Sequence, residues 1–277
     1  MDSVHIRTIP VRNNVYMLMG SGGNIGVSVG EDGVLLIDAE YAPLSEKIKA
    51  AVAALSPKPI RFLLNTHWHG DHTGGNANFG KEGVTIIAHD NIRKRLSTDQ
   101  FNELFNWKTP ASPPAALPVI TFSDSITLHL NGDEIHFVHV DTAHTDGDAI
   151  AHFVNANVIQ TGDLIFSEGF PFIDLASGGS VDGYIAADRK ILAMANDQTL
   201  IIPGHGHLTN EKELETYLNM ITIIHDNILN QVKAGKTKDE VLASKPTKDY
   251  DAVWGKGFMK PDVFVGIVYQ SLAGTKK

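Results

Sequence analysis

Four side chains able to hold a metal ion fall within the seven residues Thr66-His67-Trp68-His69-Gly70-Asp71-His72. They follow the apolar run Ile60–Leu64, which reads as a buried strand. A single histidine is usually a solvated or core residue, but H-x-H-x-D-H at the end of a strand serves no packing need. Imidazole and carboxylate together suit zinc, and an irregular loop can fold back to aim all four groups inward. The fold must therefore leave this loop open at a strand end, where catalytic groups commonly sit.

The rest of the composition narrows the chemistry. The chain has 277 residues, 43% hydrophobic and 20% charged, as in globular proteins with a substantial core. It contains no cysteine, so the metal site uses no thiolate, the fold depends on no disulfide, and there is no cysteine nucleophile. A net charge of −9 argues against a nucleic-acid partner. The short basic run Arg93-Lys94-Arg95 reads as a solvated helix face. No stretch reaches the roughly 18 apolar residues of a membrane span. No signal peptide is visible at Met1–Ile6, so a periplasmic or secreted location would require that a leader had been removed. The expected partner is a small-molecule substrate, with neither nucleic acid nor membrane.

Periodicity marks strands and helices along the chain, with no evident sequence identity between its two halves. Strands are expected at Val4–Ile9, Val15–Met19, Ile25–Val29 and Val34–Ile37, then a helix at Ala42–Leu55. Gly20–Asn24 reads either as a plain hairpin tip or as a mobile flap. After the histidine loop come a short helix from Thr73, a strand at Val84–Ile87 and a helix at Asn91–Leu96. Residues 97–118 read as an irregular Pro/Ala-rich bridge between halves, or a pocket wall. The second half repeats strands at Ile126–Leu130, Glu134–Val140, Ala149–Val154 and Val158–Thr161. A short strand at Thr199–Ile202 lies among helices at Val181–Met194, Glu211–Lys233, Lys238–Leu242 and Pro261–Leu272. Ser180 or Asp182 is expected to cap the first of these helices. The order suggests one domain over 1–277, made of βα halves at about 1–105 and 119–277, with two sheets packed together and helices outside.

Four further residues stand at strand ends: Asp38 after Val34–Ile37, His144 in Thr142–Asp148, Asp163 after Val158–Gln160, and His205 after Thr199–Ile202. In this order, with the histidine loop, the chain resembles the metallo-β-lactamase superfamily of binuclear zinc hydrolases over nearly its whole length. The resemblance implies a four-layer αββα sandwich of the α/β (α+β) class and two Zn²⁺ per chain. It implies His67, His69 and His144 as ligands of the first zinc and Asp71, His72 and His205 as ligands of the second. Asp163 would bridge the two or ligate the second alone, and Asp38 would orient the ligand loop through hydrogen bonds. A hydroxide shared by the metals would open an ester, lactone, thioester or lactam, with Asp71 as the catalytic carboxylate that accepts its hydrogen bond or moves its proton.

Two departures bear on substrate. The spacing of His144, Asp163 and His205 resembles the B1 β-lactamases more than glyoxalase II, yet those enzymes carry Cys where this chain has Asp163. Three residues later they commonly carry a Lys that holds the antibiotic's carboxylate, and here that residue is Phe166. Weak β-lactamase activity is the most this site suggests. Trp68, Phe166 and Phe170 are candidate pocket residues, the last within the Gly/aromatic stretch Gly169–Asp174. Alternatives on the same scaffold are a mononuclear iron dioxygenase and a phosphodiesterase or nuclease. His89, His129, His136, His139, His152 and His225 read as structural, and His207 as a loop residue.

Overall fold

The computed structural model describes residues 1–102 and 104–274. In chain order the strands are β1 (Arg7–Arg12), β2 (Val15–Met19), β3 (Ile25–Ser28), β4 (Val34–Ile37), β5 (Ile60–Leu64), β6 (Thr85–His89), β7 (Gln100–Asn102), β8 (Trp107–Thr109) and β9 (Ile120–Phe122). They continue with β10 (Ser125–Leu130), β11 (Asp133–His139), β12 (Ala149–Phe153), β13 (Val158–Gln160), β14 (Leu200–Ile202) and β15 (Thr209–Asn210). The helices are α1 (Ser45–Ala53), α2 (Gly70–Thr73), α3 (Asn76–Lys81), α4 (Asp90–Leu96), α5 (Val181–Met194), α6 (Glu211–Lys233), α7 (Lys238–Ala243), α8 (Asp251–Trp254) and α9 (Pro261–Ala273). No described helix is long and apolar enough to cross a membrane.

Two mixed sheets face each other. One runs β1-β2-β3-β4-β5-β6-β9 and the other β10-β11-β12-β13-β14-β15. Strand β4 shows why they stack. Side chains alternate across a strand, so Leu35 and Ile37 face the second sheet and pack with Phe137, Ala151 and Phe153. Val34 and Leu36 face outward, where Ile48 and Val52 of α1 and Phe79 of α3 cover them. Both faces are buried, so the strand is apolar throughout. The second sheet is covered likewise: Ile150, Ile159 and Ile201 pack with Tyr184 of α5, Ile221 of α6 and Phe264 of α9. These three apolar layers make the four-layer αββα sandwich.

Several boundaries differ from the sequence reading. Pairing begins at Arg7 rather than Val4, and Val4 and Ile6 instead pack against the outer face of the first sheet. The helix expected over Ala42–Leu55 opens as a 3₁₀ turn, Ala42–Leu44, around Pro43 and ends at Ala53. Residues 97–118 are not irregular throughout: they hold the β7–β8 hairpin. Strand β9 lies just beyond and pairs with β6, so the first sheet extends to Phe122 and the boundary between halves falls later than 119. Its three residues were too short a run to stand out beside the prolines. Helix α5 is capped by Ser180, whose hydroxyl accepts from the Gly183 amide.

At the end of β4 away from Asp38, the turns Asp32-Gly33 and Asn131-Gly132 lock the sheets together. The Asn131 amide donates to Asp32 Oδ2 at 2.7 Å, and the Asp32 amide donates to Asn131 Oδ1 at 3.2 Å. Asn131 Nδ2 also donates to the Gly33 carbonyl at 2.9 Å, from a backbone φ of +55° that asparagine tolerates. Asn131→Ala is expected to cost about 2 kcal/mol and to lower the melting temperature by ~4–8 °C, measurable by thermal unfolding followed by circular dichroism.

Candidate metal centre

The site is assembled from loops that leave the strands at one end of the sandwich. Strand β5 delivers His67 and His69, and α2 carries Asp71 and His72 on a single helical turn. The helix therefore starts inside the motif rather than after it, which turns the second pair of ligands back over the first. His144 sits on the loop after β11, Asp163 just after β13, and His205 after β14.

The donor atoms converge in two groups: His67, His69, His144 and Asp163 form one, and Asp71, His72 and His205 the other. In the first, His144 Nε2 lies 2.9 Å from His69 Nδ1. In the second, His72 Nε2 lies 3.4 Å from His205 Nε2, and His205 Nε2 lies 3.2 Å from Asp71 Oδ2. Asp163 stands between them. Its Oδ1 is 3.0 Å from His72 Nε2, and its Oδ2 is 3.6 Å from His144 Nε2 and 3.8 Å from His67 Nε2. Donors bonded at about 2.0–2.1 Å to a tetrahedral zinc lie roughly 3.3 Å apart, the spacing seen here.

The partners behind the rings fix which nitrogen faces inward. His72 Nδ1 is 2.8 Å from Asp38 Oδ2, a carboxylate that can only accept, so this nitrogen carries the proton and Nε2 points into the site. His144 Nδ1 donates to the Phe172 carbonyl at 2.7 Å. His69 is held the other way round: Nε2 donates to Asp174 Oδ2 at 3.0 Å and Nδ1 faces the site. Thr66 Oγ1 donates to Asp38 Oδ2 at 2.7 Å and accepts from His67 Nδ1 at 3.1 Å. That leaves His67 Nε2 buried without any hydrogen-bond partner.

Two ring nitrogens thus face each other at 2.9 Å beside a third that has no partner, an arrangement that calls for a cation. Burial drives the His144 imidazole down to about 4 and that of His67 well below its ordinary value, so both are the neutral form that binds metal. In the second group, burial works against charge on His72 and His205, but Asp163 and Asp71 outweigh it and push His205 up to about 9. Those carboxylates call for the positive charge a divalent ion brings. The residues present therefore fit a metal pair.

Backbone strain marks the loops that carry the site. Asp38, Glu40 and Thr142 adopt φ of +69°, +54° and +41°. Gly162, at φ +54°, lies against Thr66, where a Cβ has no room. The Gly20–Asn24 segment is no free flap. Glu40 accepts from the Ser21 and Gly22 amides at 2.8 Å each, Gly23 donates to the Asp71 carbonyl at 3.1 Å, and Asn24 donates to that of Gly204 at 2.7 Å. A Cβ on Gly23 would strike the His72 ring.

Two expected pocket residues lie elsewhere. Trp68 is 6% exposed; it packs with Ala88, Ile92 and Leu96 and donates to Ser177 Oγ at 3.2 Å, so it buttresses the loop from behind. Phe170 is 1% exposed and stacks on Phe264 in the helical core. Alternation along the chain turns Phe172 to the site instead, its ring 5.8 Å from that of His69 and 5.7 Å from that of His144. Phe166 stacks on His205 at 5.2 Å, and its other surroundings form a cleft of about 240 Å³ lined by Tyr217, Trp254 and Glu213 but by none of the donor residues. Sequence reasoning missed Asp174 and Glu40, because each acts on a residue far away in the chain and no spacing links them. None of the histidines read as structural joins the two donor groups: His89 stacks on His139, and His225 lies between Asp182 and Asp226. His207 pairs with Glu213 and Glu168 at the surface.

Comparison with known proteins agrees with this geometry. The family model of the metallo-beta-lactamase superfamily matches residues 18–207, and the chain belongs to that superfamily. It is 23% identical to the 2,4-dinitroanisole O-demethylase subunit alpha of Nocardioides sp., over 82% of this chain and 66% of that protein. It is 28% identical to the hydroxyacylglutathione hydrolase of Polaromonas sp., over 61% of this chain and 57% of that one. The solved stereoselective inverting sec-alkylsulfatase Pisa1 from Pseudomonas sp. superposes with a TM-score of 0.72 at 17% identity, covering 96% of this chain and 50% of that one. The chain thus spans about two thirds or less of the length of these relatives.

Asp174 holds His69 from a buried position where, against the effect of that burial, the hydrogen bonds from His69 and Ser177 bring its carboxyl down to about 2. Asp174→Ala is expected to weaken metal binding at the His67/His69/His144 position by about 10–100-fold, read by competition with a chromophoric chelator. Unchanged affinity would show that His69 needs no such support.

Proposed function

We propose that the chain is a zinc-dependent hydrolase that holds two Zn²⁺ and opens an ester, lactone, thioester or lactam of a small-molecule substrate. The observation that carries this reading is the orphaned His67 Nε2 beside the facing nitrogens of His69 and His144, completed by a full second donor set. Held by these two donor groups, a pair of zinc ions would supply an acidified water and Lewis acidity toward the carbonyl. The rest belongs to the chain. Asp71, whose Oδ2 lies 3.2 Å from His205 Nε2 at the rim of the second group, would accept the proton of the attacking water. Asp163 lies between the groups and fixes their separation, and its own carbonyl is held by the Tyr184 hydroxyl at 3.0 Å. One water is consumed, the bond from acyl carbon to heteroatom breaks, the acyl part leaves as a carboxylate, and the leaving group takes a proton.

Phe166 offers an apolar face where a β-lactam's carboxylate would need a cation. Its ring lies nearly parallel to that of His205, so the position overlooks the second donor group. Phe166→Lys is expected to raise kcat/KM on a penicillin or cephalosporin by about tenfold, the worth of one charge-assisted hydrogen bond. A β-lactam turned over rapidly by the unaltered protein would overturn this reading of Phe166.

The reading is tested with zinc-loaded protein on a panel of esters, lactones, glutathione thioesters, alkyl sulfates, phosphodiesters and β-lactams. Removing metal with a chelator is expected to abolish turnover and adding zinc to restore it. Asp163→Ala or His69→Ala is expected to lower kcat/KM by ~10³-fold or more while leaving the fold intact. Full turnover in metal-free protein would contradict the proposal, and one iron per chain with oxygen consumption would favour a dioxygenase.

A further inference from the structure

From the His69 and His144 side of the metal centre, aromatic rings continue outward to solvent. Phe172, against His69, meets Phe105 at 5.2 Å between ring centroids. Phe105 in turn meets Trp107 at 5.1 Å and Phe258 at 5.6 Å. Trp107 is 61% exposed and Phe258 69%. Three separate segments supply these rings: the β7–β8 hairpin, the loop after Asp163, and the stretch following α8. Isolated surface hydrophobes need no explanation, but rings from three segments converging on one spot and left uncovered mark a binding surface.

The ridge is also tied to the metal centre. Asn102, at the foot of the hairpin, donates through Nδ2 to Asp174 Oδ1 at 3.1 Å, and Asp174 Oδ2 accepts from His69. An acyl chain leading away from a reacting carbon near His69 would meet Phe172 and then Phe105, with Trp107 and Phe258 on either branch beyond. Aromatic walls of this kind bind flat or extended apolar groups without asking for a matching charge.

We propose that the aromatic ridge of Phe172, Phe105, Trp107 and Phe258 is the acyl subsite of this centre, and that the substrate is an ester, lactone or thioester carrying a medium-length to long apolar acyl chain. This rests on the hydrolase reading given above, and it goes beyond it by naming the part of the substrate the protein selects. A ridge covers one side of a chain only, so each added methylene gains about half the effect of full burial, roughly twofold in affinity.

The test has two arms. One measures kcat/KM of the zinc-loaded enzyme on 4-nitrophenyl esters from acetyl to decanoyl. The other measures binding of the free carboxylates from butanoate to decanoate by calorimetry, which needs no turnover. Both are expected to rise about twofold per methylene. Both slopes are expected to flatten in the double variant Trp107→Ala/Phe258→Ala, whose folding is checked by thermal melting. Length-independent binding, or a slope that survives in the double variant, would overturn the ridge. So would a sedimenting dimer with Trp107 protected from a fluorescence quencher, since the rings would then cover a second copy of this chain. Ester turnover with no dependence on length would sink the ridge and leave the hydrolase reading standing. Length-dependent binding without any turnover would do the reverse.

Discussion

The buried carboxylate of Asp38 is the contact on which the site is built. It accepts from the Thr66 amide at 2.8 Å, from the Thr66 hydroxyl at 2.7 Å and from His72 Nδ1 at 2.8 Å. A fully buried charge costs several kcal/mol unless such donors surround it. Each donor belongs to the metal loop, so satisfying Asp38 and shaping that loop are one event. Through Thr66 the same carboxylate reaches His67, and through His72 the second donor group. One strand-end residue thus sets a ring in both halves of the centre, at the cost of a strained left-handed backbone at its own position.

The two groups have different electrostatic characters. Around His67 and His144, burial dominates and keeps the imidazoles neutral. Around His72 and His205, carboxylates dominate and draw positive charge. Asp163 faces both, one oxygen to each. The first group is three imidazoles with Asp163, and the second carries Asp71 at a more exposed edge. That asymmetry sets a sheltered, nitrogen-rich group beside a more accessible one edged by a carboxylate.

Much of this was legible in the chain because the donor residues and their support Asp38 sit where apolar strands stop. Val34–Ile37 announces Asp38, Ile60–Leu64 the histidine loop, and Val158–Gln160 Asp163. Continuous apolar runs such as Val34–Ile37 likewise mark strands buried on both faces. The supports were not legible. Asp174 reaches His69 across more than a hundred residues of chain, Glu40 clamps a glycine loop from an adjacent turn, and neither contact leaves a local pattern. Pocket residues fared worse for the same reason. Within Phe170-Pro171-Phe172 composition is silent about which ring turns inward, and only packing against Phe264 decides that Phe170 goes to the core and Phe172 to the site. Strand β9 was hidden because its pairing with β6, not its own three residues, makes it a strand.

The central claim is a pair of metal ions held by seven side chains of this chain. Anomalous diffraction from a crystal of the zinc-loaded protein, collected on both sides of the zinc absorption edge, tests it most directly. The account predicts two zinc peaks, one among His67 Nε2, His69 Nδ1 and His144 Nε2 and one among Asp71, His72 and His205, with Asp163 reaching toward both. No peak, or a single peak with His72 and His205 left paired to carboxylates alone, would contradict it.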